Sequence, residues 1–170
     1  MVHQFRYYLL PRIMLASAII LGSALIAQYV FDMKPCEFCI YQRIPYVSVL
    51  LFGGIALAIG EWNKRAVGYL LSVIFFISST LAFYHAGVEY KWWHGVTACA
   101  GYHPLPESLA ELKLNLSKVI PIACDEISWT LLGVSITVYN GIASIVLSLL
   151  CVYGTQNIPS GSRCAEMIKN

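Results

Sequence analysis

Four stretches of the chain contain no Asp, Glu, Lys or Arg: residues 13–31, 44–60, 66–88 and 127–162, the last with its apolar heart at 131–153. A helix crosses a hydrocarbon core of about 30 Å with roughly 17 to 25 residues, so each stretch predicts a membrane span. The second is near the short limit, and Pro45, Gly53 and Gly54 lower its helix propensity. Neighbouring helices in a bundle compensate for such breaks, so it is counted as a span. Polar segments fall between the runs: an outer loop over about 32–43, a short inner turn at 61–65, and a long outer loop over about 85–130. Within the long loop Leu109, Leu112, Leu116 and Val119 recur at helical spacing among Glu107, Glu111, Lys113 and Lys118. That pattern predicts a short amphipathic helix lying at the membrane interface, bracketed by Pro104, Pro106 and Pro121. The expected architecture is an all-α membrane protein: one integral domain over residues 1–170, a bundle of four transmembrane helices, and that additional interfacial helix.

Composition points the same way. The chain is 58% hydrophobic and 12% charged, against about half apolar and a quarter charged in soluble domains, so the bilayer is its solvent. No nucleic-acid partner is expected. The first run follows Arg6 and Arg12, as the core of a secretory signal would, but it is longer than such a core and reads as a retained helix. Basic residues set the orientation. With both termini inside, the cytoplasmic segments hold Arg6, Arg12, Lys64, Arg65, Arg163 and Lys169, whereas Lys34, Lys91, Lys113 and Lys118 lie outside and Arg43 sits at the boundary. The inner segments are too short for an active site, so chemistry is expected on the outer side.

The six cysteines divide accordingly. Cys36 and Cys39 lie in the short outer loop and Cys99 and Cys124 in the long one, facing a compartment where disulfides persist. Cys151 reads as a small hydrophobe within the last helix, and Cys164 as a reduced thiol in the tail. Static disulfides are one account of the outer four. The other is redox cycling of Cys36 and Cys39, since a Cys-x-x-Cys ring is readily tuned in potential and thiolate stability. In "KPCEFCIYQR" the pair stands before Arg43, four residues beyond Cys39. With a helix starting near Cys39, both its N-terminus and the guanidinium would favour a thiolate there; Pro45 offers an alternative helix start, and interfacial anchoring is the plain role of Arg43. Haem attachment needs His after the second cysteine, where Ile40 stands. A zinc site on the four cysteines is disfavoured by their loose spacing and an oxidising compartment, so no metal is expected. His85 ends the third span at the depth of the Cys-x-x-Cys pair, where it could hold a polar head group together with Arg43. His94 and His103 read as solvated loop residues.

The order and sidedness of "CEFCIYQR", "YHAGVE", "TACAG" and "IACDEISWTLLGVS" resemble the DsbB family, bacterial inner-membrane disulfide bond formation proteins, over about residues 13–153. The resemblance implies that a DsbA-like periplasmic thioredoxin-fold protein attacks a Cys99–Cys124 disulfide at Cys99, that Cys124 then attacks Cys36 of a Cys36–Cys39 disulfide, and that Cys39 passes electrons to ubiquinone or menaquinone beside Arg43 and His85. Cys151 and Cys164 depart from the simplest family pattern. Two alternatives stand beside it: a quinone reductase resembling vitamin K epoxide reductase, whose Cys-x-x-Cys would fall late in the chain, and a non-enzymatic four-helix membrane protein with structural disulfides.

Overall fold

The computed structural model describes residues 9–59, 64–95, 108, 124, 125, 127 and 129–156. The amphipathic segment around 109–119, Cys99, Cys164 and His103 lie outside them.

Four helices are long and apolar enough to cross a membrane. Helix α1 spans Leu10–Tyr29 and starts with Pro11 in its first turn, where the missing N–H costs nothing. Helix α2, Glu37–Tyr41, is one short turn capped by Cys36. It runs through the turn at Gln42 and Arg43 into α3, Ile44–Ile59; Pro45 sits in the first turn of α3. Helix α4 spans Lys64–Glu89. A two-stranded hairpin follows, β1 (Thr130–Leu131) against β2 (Val134–Ser135), and leads into α5, Ile136–Gln156.

The sequence pattern starts the last span at Leu131, yet the helix begins at Ile136 because residues 130–135 are taken up by the hairpin. Leu132 and Gly133 have φ of 52° and 80°, as a two-residue turn with both central residues left-handed requires. Gly133 takes that conformation without a Cβ penalty. Tyr139 Oη ties the turn to α5 by donating to the Leu131 carbonyl at 3.1 Å.

Helices α4 and α5 pack along each other for most of their length, whereas α1 packs chiefly on α3, and α3 on α4. Small polar residues allow the close α4–α5 approach, as is usual where lipid supplies no hydrophobic drive between helices. Ser72 and Ser148 are 3.1 Å apart, Ser78 and Ser144 3.0 Å, and Ser79 donates to the Gly141 carbonyl. Interleaved with them an apolar core gathers Ile13, Tyr46, Val49, Leu71, Phe75, Leu147 and Cys151. The glycine at position 53 is part of the α1–α3 contact, since a Cβ there would stand 2.9 Å from Met14 Sδ. Outward faces of the helices carry Leu15, Ile19, Phe76, Phe83 and Leu149 in the open, which in a bilayer is the face toward lipid.

Candidate functional site

At the end of the bundle that carries the Cys-x-x-Cys pair the short helix α2 folds inward against the end of α4. Phe38 is buried there with Cys36, Val88 and Cys124, and Tyr84 and Trp93 pack against them. Chain direction after α4 is reversed by Lys91 in the left-handed region (φ 59°). Trp93 thereby lies over Gly87, where an added Cβ would be 2.0 Å from the ring, and its indole donates to the Tyr84 carbonyl at 3.0 Å.

This packing brings three of the four outer cysteines together. Cys36 Sγ lies 3.0 Å from Cys39 Sγ and accepts from the Cys39 backbone N–H at 3.3 Å, so the helix start falls at Cys36 rather than Cys39. Cys124 Sγ, Cys36 Sγ and a ring nitrogen of His85 all lie within 4.8 Å of one another, with all three residues buried. Donation of its thiol hydrogen to Cys39, followed by burial, pushes Cys36 up to about 12; the His85 contact pulls the other way. The reduced Cys36 is therefore a protonated thiol at neutral pH. Two thiols and an imidazole are donor types that zinc accepts. They are also the attacking sulfur, the attacked sulfur and a base of a disulfide exchange, and Cys39 beside them gives that exchange an outlet.

His85 occupies a place that its position in the sequence does not reveal. It is buried, its Nε2 is 3.5 Å from Cys36 Sγ, and the same nitrogen is 3.7 Å from Glu89 Oε1. Its Nδ1 is 2.8 Å from Gln42 Nε2 and 3.4 Å from Thr137 Oγ1. A chain of side-chain hydrogen bonds continues from there: Asn140 Nδ2 donates to Gln42 Oε1 at 2.6 Å, and Tyr46 Oη donates to Asn140 Oδ1 at 2.6 Å.

Beside this cluster a cavity of about 580 Å³ opens between α1, α3 and α5. Aliphatic and aromatic side chains such as Ile20, Leu21, Ile136, Phe31 and Trp129 make most of its wall; Cys39, Gln28, Gln42, Arg43 and Asn140, with Ser23, Lys34 and Thr137, are among its polar residues. The Arg43 guanidinium donates to Gln28 Oε1 on α1, so the guanidinium is fixed in the wall by a neutral partner. His85 is not among the described residues lining the cavity; its ring is turned inward by Gln42 and Thr137 onto Cys36. Glu89, Gln42, Asn140 and Thr137 carried no signal as site residues. A glutamate four residues after His85 on one helical face is the single hint that sequence offered.

Residues 7–154 match the family model described as Disulfide bond formation protein DsbB. The chain belongs to the DsbB family. Relatives agree with this assignment: Disulfide bond formation protein B of Stutzerimonas stutzeri is 27% identical over 82% of this chain and 88% of its own, and that of Acinetobacter baumannii 29% over 83% and 85%. An uncharacterized Rickettsia prowazekii protein, RP370, is 30% identical over 84% of both chains. No solved structure matches. Membership of the DsbB family and four spanning helices make this a multi-pass membrane protein of disulfide bond formation.

Proposed function

We propose that the protein is a membrane thiol:quinone oxidoreductase that reoxidises a DsbA-like periplasmic thioredoxin-fold protein and passes the electrons to ubiquinone or menaquinone. The order of the sulfurs carries this reading: Cys124 beside Cys36, Cys36 3.0 Å from Cys39, and Cys39 in the wall of an apolar cavity. Static disulfides need no such outlet toward a cavity.

The cavity fits a quinone. Its volume lies in the range of small-molecule sites, roughly 300 to 1,000 Å³, its wall is mostly apolar, and Arg43, Gln28, Gln42 and Asn140 provide polar anchors. Bound there, the quinone would supply an acceptor for two electrons and two protons. The protein's own residues do the rest. A partner thiolate attacks Cys99 of the Cys99–Cys124 disulfide, and Cys124 leaves with the electron pair. Cys124 attacks Cys36 of the Cys36–Cys39 disulfide, and Cys39 leaves as a thiolate in the cavity wall, where the charge of Arg43 favours it. The second partner thiol then releases Cys99, Cys99 re-forms its bond with Cys124, and the freed Cys36 closes again on Cys39. In sum the partner dithiol loses two electrons and two protons. The domain is single, over residues 1–170, and it sits in the bacterial inner membrane with both termini cytoplasmic and the cysteines periplasmic.

The test is absorbance of purified protein with ubiquinone, or menaquinone, and a reduced thioredoxin-fold dithiol protein. Quinone reduction that requires both reactants and vanishes in Cys36→Ser supports the reading. A folded protein that turns over neither quinone returns the outer cysteines to static disulfides.

A further inference from the structure

Glu89 is a buried carboxylate that the steps above leave without a role. Burying a charge is costly unless it is paired, and among the described residues no lysine or arginine pairs with it. Its Oε2 accepts from Ser135 Oγ at 2.5 Å and its Oε1 from Thr137 Oγ1 at 3.0 Å. Ser135 is in turn held by the hairpin: its Oγ accepts from the Thr137 N–H, and its own N–H donates to Tyr90 Oη. A strand, a loop turn and two helix ends thus converge to fix one carboxylate 3.7 Å from His85 Nε2. The same nitrogen is 3.5 Å from Cys36 Sγ. The titratable groups facing the ring are therefore Cys36, which caps α2 and has Cys39 at 3.0 Å, Cys124 from the long loop and Glu89 from its own helix.

We propose that His85 is the proton acceptor and donor of Cys36, and that Glu89 is the positioning residue that makes it one by holding the positive charge of the ring. The inference deepens the reaction proposed above and rests on it for the order of thiol exchanges. When Cys36 closes on Cys39, its thiol proton passes to His85 Nε2, the Cys36 thiolate attacks the Cys39 sulfur, and an S–S bond forms. The electron pair leaves the Cys39 side for the oxidant: quinone in the membrane, or a small disulfide in the test below. When Cys124 attacks and Cys36 is later set free, the same proton returns. The amides of Gln42 and Asn140 permit the tautomer this exchange needs, because reversing both preserves the 2.8 and 2.6 Å bonds with Nδ1 as a donor throughout, which leaves Nε2 free to take up and return the proton. Burial of Cys36 at 1% exposure leaves no solvent base to do the work.

The experiment uses reduced, quinone-free full-length protein and glutathione disulfide as oxidant. Cys39 takes up glutathione with release of one reduced glutathione; Cys36 then displaces the second as a thiolate. Closure of Cys36 on Cys39 is followed by acid quench and mass spectrometry across pH 5 to 10. In the wild type the closure rate falls toward acid pH. Glu89→Gln, which keeps partners for Ser135 and Thr137, slows closure near neutral pH by at least about tenfold, and the deficit narrows toward pH 10 as the unassisted thiolate fraction of Cys36 rises. Glu89→Asp regains most of the rate. A Glu89→Gln profile that matches the wild type, or that is lower by one factor at every pH, overturns the proposal. So does a wild-type rate that is flat below neutrality, a result independent of whether the variant folds. Quinone reduction, measured separately, can fail without affecting this assay, so the two readings fall separately.

Discussion

Cys36 and Cys151 are equally hidden, at 1% and 0% exposure, and both precede or occupy a helix that borders the bundle interior. Their surroundings differ completely. Cys151 is packed among Ile13, Leu71, Phe75 and Leu147, with no imidazole, no carboxylate and no second cysteine among the described residues of that cluster. Cys36 is enclosed by two sulfurs and an imidazole backed by a carboxylate. Burial alone therefore does not separate an inert thiol from a reactive one. What separates them is whether the buried neighbours can take a proton and an electron pair.

The comparison breaks most sharply by exchange of the two residues' fates. Cys36→Ser is expected to abolish quinone reduction, measured by absorbance, whereas Cys151→Ala keeps turnover within about twofold; equal losses would remove the distinction. A smaller effect is expected at the outlet. Arg43→Met loses a charged contact to the cavity and should raise the quinone concentration for half-maximal rate by roughly tenfold, leaving the partner's half-saturating concentration unchanged. Gly87→Ala pushes on the Trp93 ring that covers the Cys36 cluster and should cost about 1 to 3 kcal/mol by overpacking, read as a lower unfolding temperature in detergent; an unshifted melt would mean that Trp93 swings away freely. The smallest effect belongs to stability in Cys151→Ala, about 1 kcal/mol from the space left behind, in the same melt.

The long helices were legible in the chain because a membrane span needs only length and the absence of charge. So was the sulfur pair before Arg43, since both lie within one short stretch. The hairpin at 130–135 was hidden by its apolar composition: Leu131, Leu132 and Val134 continue the hydrophobic run, and the turn residue Gly133 stands alone. The neighbours of Cys36 were hidden for another reason. His85 meets it across 49 positions, and Ser135 meets Glu89 across 46, through packing of α2, α4 and the hairpin that no local pattern encodes. His85 illustrates the limit: its level with the Cys-x-x-Cys pair could be read, but not the direction of its ring, which Gln42 and Thr137 decide.

Helix α1 carries its own consequence. Only 17% of its apolar window is buried, against 39% in α4, and its outer half faces α5 across the cavity rather than touching it along a shared seam. A reactant that enters past such a loosely held wall arrives from the plane of the bilayer. Its supply is then counted per lipid molecule, not per litre of water. Under the proposed reaction, diluting the enzyme's membrane with quinone-free lipid slows turnover even when the total quinone in the tube is unchanged, and the composition of the bilayer then sets the pace of disulfide formation.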